Sequence, residues 1–204
     1  MKSNILVLSK GWIHPSIACR LRLRAALLAM TDEFSFTFAS SFRSLAKINQ
    51  DNERYDAILL FYHEQKIDQS IIESISRFCE SGGGLFLIHG AMASFKKIPA
   101  YRKLVGGIFT GHGPVDSITL HNDTMSFTVV DELYVHEYDK NNRIWLYGTQ
   151  NEITEPVIWS KDHHSGRIAY LSVGHRSQTF QNLHIQTIIQ NILRYVCKRS
   201  EVIV

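Results

Sequence analysis

The sequence predicts a three-layer α/β domain of the flavodoxin-like kind, with a mostly parallel central sheet and a late β-hairpin. Three observations carry this. In the first half, short and wholly apolar runs alternate with segments of helical period, the pattern of parallel strands buried on both faces and joined by crossover helices. In the second half, strand-like segments follow one another with only polar turns between them. The size fits one domain spanning residues 1–204: 204 residues, 45% hydrophobic and 20% charged, are enough for a core without disulfide or metal staples.

In chain order, residues 4–9 form an apolar run suited to a buried strand. Pro15-Ser16 opens a helix reaching Met30, with Ile17, Leu21, Leu27 and Leu28 at helical spacings and three arginines on the other side. Residues 34–39 alternate aromatic and polar side chains as a second strand, and 55–62 (YDAILLFY) are a third. An amphipathic helix over 67–81 places Ile71, Ile75 and Phe78 on one stripe; Gly82-Gly83-Gly84 ends it, and 85–88 are a fourth apolar strand. Residues 115–120, 126–130 and 143–147 then read as successive strands. Segments 156–161 and 167–173 flank a hairpin loop, Asp162-His163-His164-Ser165-Gly166, and 183–198 close the chain as an amphipathic helix. There is no internal repeat, low-complexity stretch or linker.

Lys plus Arg number 22 against 19 Asp plus Glu, a formal charge of +3, which excludes a strongly polybasic nucleic-acid binder. The three cysteines, Cys19, Cys79 and Cys197, include no CxxC pair, so neither a disulfide framework nor a thiolate zinc site is indicated. The apolar run near the N-terminus is too short for a secretion signal, and no stretch is long enough to span a bilayer. The expectation is a cytoplasmic protein with no nucleic-acid or membrane partner.

Ten histidines are the unusual feature of the composition. Ligands of open parallel sheets bind beyond the carboxyl ends of the strands, and four strand exits each deliver a histidine: His14 after Trp12, His63, His89, and His175 after Gly174. The run Leu85-Phe86-Leu87-Ile88-His89-Gly90-Ala91 has the shape of a nucleophile elbow with an imidazole at its tip, able to serve as base, metal ligand or nucleophile. Neighbouring strands lie about 4.8 Å apart, so His14, His89 and His175 are expected to converge in one pocket with His112 and Glu132 at its rim. Such a set suits Zn²⁺ or a similar divalent ion held by His14, His89 and His175, or a metal-free polar pocket. Asp131-Glu132 are readable as a catalytic acid pair or a solvated turn, His112 as a ligand contact or part of a glycine-rich loop, and His163-His164 as a solvated hairpin tip. Trp12, Tyr62, Tyr101, Tyr134 and Trp145 are stacking faces for a sugar, or core aromatics.

Several of these segments, in order, resemble the ThuA-like (trehalose utilisation) family, whose fold is that of the class I glutamine amidotransferases. The matching pieces are Gly11-Trp12-Ile13-His14-Pro15-Ser16, Tyr55-Asp56-Ala57, SGGGLFLIHGAMASF (81–95), Tyr101 with LVGGIFTGHG (104–113), DELY (131–134) and PVIWSKDHHSGRIAYLSVGHRSQTF (156–180). The chain departs from the family in lacking its Asp-x-x-His-Pro stretch, where His121-Asn122-Asp123 stands. The resemblance implies that His89 occupies the position of the amidotransferase cysteine and His175 that of its histidine. All three cysteines fall on predicted helices away from that position, so glutamine hydrolysis through a thioester is excluded. The implied function is carbohydrate metabolism on trehalose or a keto-sugar. His89, His175 and Glu132 are the implied acid/base residues, and His14, Trp12, His112 and Tyr134 the sugar contacts. The alternative is a non-catalytic ligand-binding or interaction module on the same scaffold. The expected partner is a small sugar-like ligand, and the C-terminal Val202-Ile203-Val204, read as exposed, suggests a homodimer.

Overall fold

The computed structural model describes residues 1–46, 48 and 55–204. Its first half follows the predicted alternation. The strands are β1 (Ser3–Ser9), β2 (Phe34–Ala39), β3 (Ala57–Phe61) and β4 (Gly84–Ile88), and the helices are α1 (Ile17–Leu28), α2 (Arg43–Ala46) and α3 (Gln69–Glu80). A 3-10 turn, His89–Ala91, follows β4, and α4 (Pro99–Val105), which the sequence reading did not anticipate, starts with proline at its N-terminus. Then come β5 (Gly107–His121), β6 (Ser126–Tyr138), β7 (Arg143–Gln150), β8 (Ile153–His163), β9 (Gly166–Leu171) and α5 (Leu183–Val196).

Among the described residues all nine strands join one sheet in the order β2-β1-β3-β4-β9-β8-β7-β5-β6. The expectation of a mostly parallel sheet is corrected here. β2, β1, β3, β4 and β9 pair parallel, but β5 to β9 are linked by antiparallel ladders and include the longest strands. The reason is connection length. A parallel return needs a crossover of a dozen or more residues, whereas residues 122–125, 139–142, 151–152 and 164–165 leave room only for turns. The late hairpin is β8–β9, and it returns the chain to the parallel half beside β4.

Each face of the sheet carries its own core. α1 and α5 cover one face through Leu23, Leu27, Ile185, Ile188, Ile189 and Ile192; α3 and α4 cover the other through Ile72, Ile75, Phe78, Tyr101 and Leu104. Burying each such side chain contributes about 1.5–3 kcal/mol. Caps fix the helix starts: Ser16, Asp68 and Asn182 side chains accept from the first-turn amides of α1, α3 and α5. Two expectations change. α1 presents Cys19, Leu23, Ala26 and Leu27 to the sheet, while Ile17, Leu21 and Leu28 face outward. Ile203 is buried in the α5 core, so the C-terminal segment is partly packed rather than a free edge. Among the described residues no helix is long and apolar enough to cross a membrane.

Candidate functional site

The site begins with two backbone turns at the carboxyl ends of adjacent strands β4 and β9. His89 follows β4 with φ 48°, a left-handed conformation uncommon for a residue with a Cβ and of the kind that marks functional turns. Gly174, after β9, has φ 151°, and a Cβ there would lie 3.1 Å from the His89 Cβ and from Ile88 Cγ2. Only glycine lets these two turns approach so closely.

The third contributor is β6. Register shifts between Phe109 and Gly111 and between His112 and Val115 bend the β5–β6 arm. Alternation along β6 sends Glu132, Tyr134 and His136 to one side, against His89, Trp159 and Tyr170, and Asp131 and Leu133 to the other. The sequence reading stopped this strand at residue 130 and allowed Asp131-Glu132 a solvated turn; both are in fact buried mid-strand.

Asp131 is 0% exposed and accepts hydrogen bonds from the backbone N–H groups of Gly174 (3.2 Å), His175 (3.0 Å) and Arg176 (3.3 Å) and from the Thr179 hydroxyl. It therefore holds the segment that carries His175. The other side of that segment meets α1: the Cys19 thiol donates to the His175 carbonyl oxygen at 3.1 Å. This corrects the expectation that every cysteine lies away from the site, because α1 packs on the 3-10 turn Ser177–Gln181. Burial raises the Cys19 pKa, which disfavours the thiolate, and the thiol is spent on that carbonyl rather than turned toward a substrate.

Within this frame Glu132 lies among three imidazoles. Its Oε2 is 3.3 Å from His175 Nδ1 and 3.8 Å from His89 Nε2, and its Oε1 is 3.7 Å from His112 Nδ1. Glu132 is thus the centre of the cluster rather than its rim. His89 is buried, and burial pushes its pKa down to about 4, so its ring is neutral at pH 7. Its Nδ1–H donates to the Ser172 carbonyl (2.7 Å), which fixes the tautomer, and the Tyr134 hydroxyl donates to Nε2 (2.9 Å). His175 Nδ1 is buried without a hydrogen bond. Behind them His136, missed in the sequence, meets the Tyr170 hydroxyl at 3.2 Å, and burial lowers it to about 3. The alternation of Asp131-Glu132-Leu133-Tyr134-Val135-His136 is the signal that could have found it.

His14 joins from the exposed loop before α1, its ring 5.2 Å from that of His175 and 6.2 Å from that of His63. It lines a 660 Å³ cleft with Lys10, Gly11, Trp12, Arg20, His63 and Glu64, a volume within the range of small-molecule sites. Trp12 stands on the lip, 82% exposed. The donor atoms lying within 4.8 Å of one another are those of His89, Glu132 and His175. In the expected metal set, then, Glu132 takes the place given to His14. A second such group, Glu80, His163 and His164, lies at the β8–β9 hairpin, where His163 also meets the Ser76 hydroxyl at 3.0 Å rather than being freely solvated. Tyr62, Tyr101 and Trp145 are core aromatics.

The family described as ThuA, trehalose utilisation, matches residues 4–196. Among solved structures the chain is similar to a ThuA-like protein from Bacteroides uniformis ATCC 8492, at 17% identity and TM-score 0.79, covering 98% of this chain and 93% of that one. A ThuA-like protein from Parabacteroides merdae ATCC 43184 gives 15% identity and TM-score 0.83, with 98% and 91% covered. A β-galactosidase from Rahnella sp. R3 gives 10% identity and TM-score 0.64 over 93% of this chain but 31% of its own. These likenesses are of fold. No curated protein matches the sequence.

Proposed function

Because the chain belongs to the ThuA (trehalose utilisation) family, we propose that it is an enzyme of carbohydrate metabolism that binds trehalose or a keto-sugar in the cleft at the strand ends and acts on it by acid/base chemistry. Family membership supports a carbohydrate-related role at the level of the family. The single observation that carries the finer reading is the Glu132 carboxylate held among His89, His112 and His175, next to a cleft of ligand size that these four do not line but that adjoins them through His14, whose ring is 5.2 Å from that of His175.

In this reading Trp12 supplies a stacking face, and His14, His112 and Tyr134 contact sugar hydroxyls. Glu132 takes a proton from a hydroxyl or from the carbon beside a keto group. His175, 3.3 Å away with Nδ1 free of other partners, relays it. His89 stays neutral and orients the Tyr134 hydroxyl. A second reading, a binding module without turnover, is favoured by one feature: the Tyr134 hydroxyl occupies the one ring nitrogen of His89 that faces the cluster.

Calorimetric titration with glucose, trehalose and their keto derivatives, each followed by a turnover assay, tests the proposal and separates the two readings. Replacing the exposed Trp12 by alanine is expected to weaken sugar binding about tenfold, the loss of one stacking contact of roughly 1–1.5 kcal/mol, and to leave the unfolding midpoint unchanged. Equal affinity in Trp12→Ala would remove that residue from the site.

A further inference from the structure

We propose that His89 Nε2, Glu132 and His175 Nδ1 bind a single divalent ion of the zinc class. The inference assigns a cofactor to the same pocket and rests on that pocket being the functional one; with the ion bound, His175 Nδ1 is a ligand and no longer the proton relay, and Glu132 Oε1, the oxygen toward His112, is the one left to take a proton. Three independent observations point to it.

The first is spacing. Ligand atoms about 2.0–2.1 Å from a tetrahedral ion stand about 3.3 Å from one another. Glu132 Oε2 lies 3.3 Å from His175 Nδ1 and 3.8 Å from His89 Nε2, and the three donors all fall within 4.8 Å. The Glu132–His175 pair already has this spacing, and the other separations close onto an ion by contractions of up to about 1.5 Å.

The second is the surrounding hydrogen bonds. Metal-binding histidines commonly donate their other ring N–H to a carbonyl or carboxylate, which fixes the ring and presents the bare nitrogen. His89 does this through Ser172 at 2.7 Å. His175 is held instead through its backbone, its amide bonded to buried Asp131 and its carbonyl to the Cys19 thiol. The third is an unpaid polar atom: His175 Nδ1 is buried, faces Glu132 and has no hydrogen bond. A buried ring nitrogen without a hydrogen bond is costly, and coordination to an ion satisfies it.

The donor set selects the ion. Two imidazole nitrogens and one carboxylate oxygen match zinc-type sites in which three protein ligands leave a fourth position for water or substrate, whereas Ca²⁺ takes six to eight oxygens. The fourth position is left to water, a sugar hydroxyl or a carbonyl oxygen. Tyr134 then gives up its bond to His89 Nε2 and becomes available to the sugar.

The test uses the untagged 204-residue chain, stripped with EDTA, reloaded with ZnCl₂ and freed of loose metal by gel filtration. Elemental analysis is expected to find one zinc per chain, and titration calorimetry to show affinity falling at least tenfold in Glu132→Gln and in His175→Asn. His163→Ala with His164→Ala, which removes the hairpin group, is expected to leave the stoichiometry and affinity unchanged. No retained zinc, or zinc lost in the hairpin variant and kept in Glu132→Gln and His175→Asn, overturns the assignment. Sugar titration of the stripped protein keeps the two claims apart. Sugar binding by a chain that takes no zinc ends the metal site and leaves the function, whereas zinc bound with no sugar affinity ends the function and leaves the metal site.

Discussion

Replacing Asp131 by alanine is expected to produce the largest loss of stability of any single change near the site, about 3–5 kcal/mol. The carboxylate is wholly buried and accepts from three consecutive backbone N–H groups, at 174–176, from the Glu132 N–H and from the Thr179 hydroxyl. Alanine removes the partner of all five donors. Each unpaired buried donor costs about 1–3 kcal/mol, and water entering the gap recovers part of the sum. Urea unfolding followed by circular dichroism measures the change. A loss under about 1 kcal/mol, the worth of an ordinary exposed hydrogen-bond partner, would show that the 174–179 segment does not depend on Asp131.

The second large effect concerns chemistry. Glu132→Gln keeps the shape of the side chain and removes its charge and its ability to take a proton. Turnover of the sugar that the wild type processes is expected to fall by about 10²–10⁴-fold, the usual share of a positioned acid or base, with the far-ultraviolet dichroism unchanged. His112→Ala, at the outer oxygen of the same carboxylate and half exposed, serves as the comparison and is expected to affect sugar affinity more than rate. An undiminished rate in Glu132→Gln would take the carboxylate out of the chemistry.

What was legible in the sequence follows from how each signal arises. β1, β3, β4, α3 and α5 were readable because a strand buried on both faces must be apolar throughout and a helix on a sheet apolar on one stripe, and β2, at the sheet edge, because its aromatic and polar residues alternate. His89 and His175 were readable because topology places strand ends together. The β5–β6 arm was only half readable. Gly107, Gly111, Gly113 and Pro114 look like a loop, yet all lie in β5, and Gly111, Gly113 and Pro114 fall at the bulges that bend the arm. Glu132, Tyr134 and His136 look like a mixed polar segment because their side of β6 faces a site rather than a core. Asp131 was the hardest to place, since a fully buried carboxylate makes sense only once the donors of a loop more than forty residues later are brought to it. The second half was read as the more antiparallel one from its short polar turns; the sheet as a whole is not mostly parallel because β5 and β6 run far beyond the segments 115–120 and 126–130.

The central claim is that sugar is bound at the strand-end histidines and handled there. Imidazole ¹H–¹⁵N spectra of the ten histidines, recorded while trehalose or its keto derivative is titrated in, test it most directly. The account predicts saturable shifts in the resonances of His14, His89, His112 and His175, with those of His163, His164 and His184 unmoved. Sugar that binds while shifting only the latter group, or that shifts none of the ten at millimolar concentration, would contradict it.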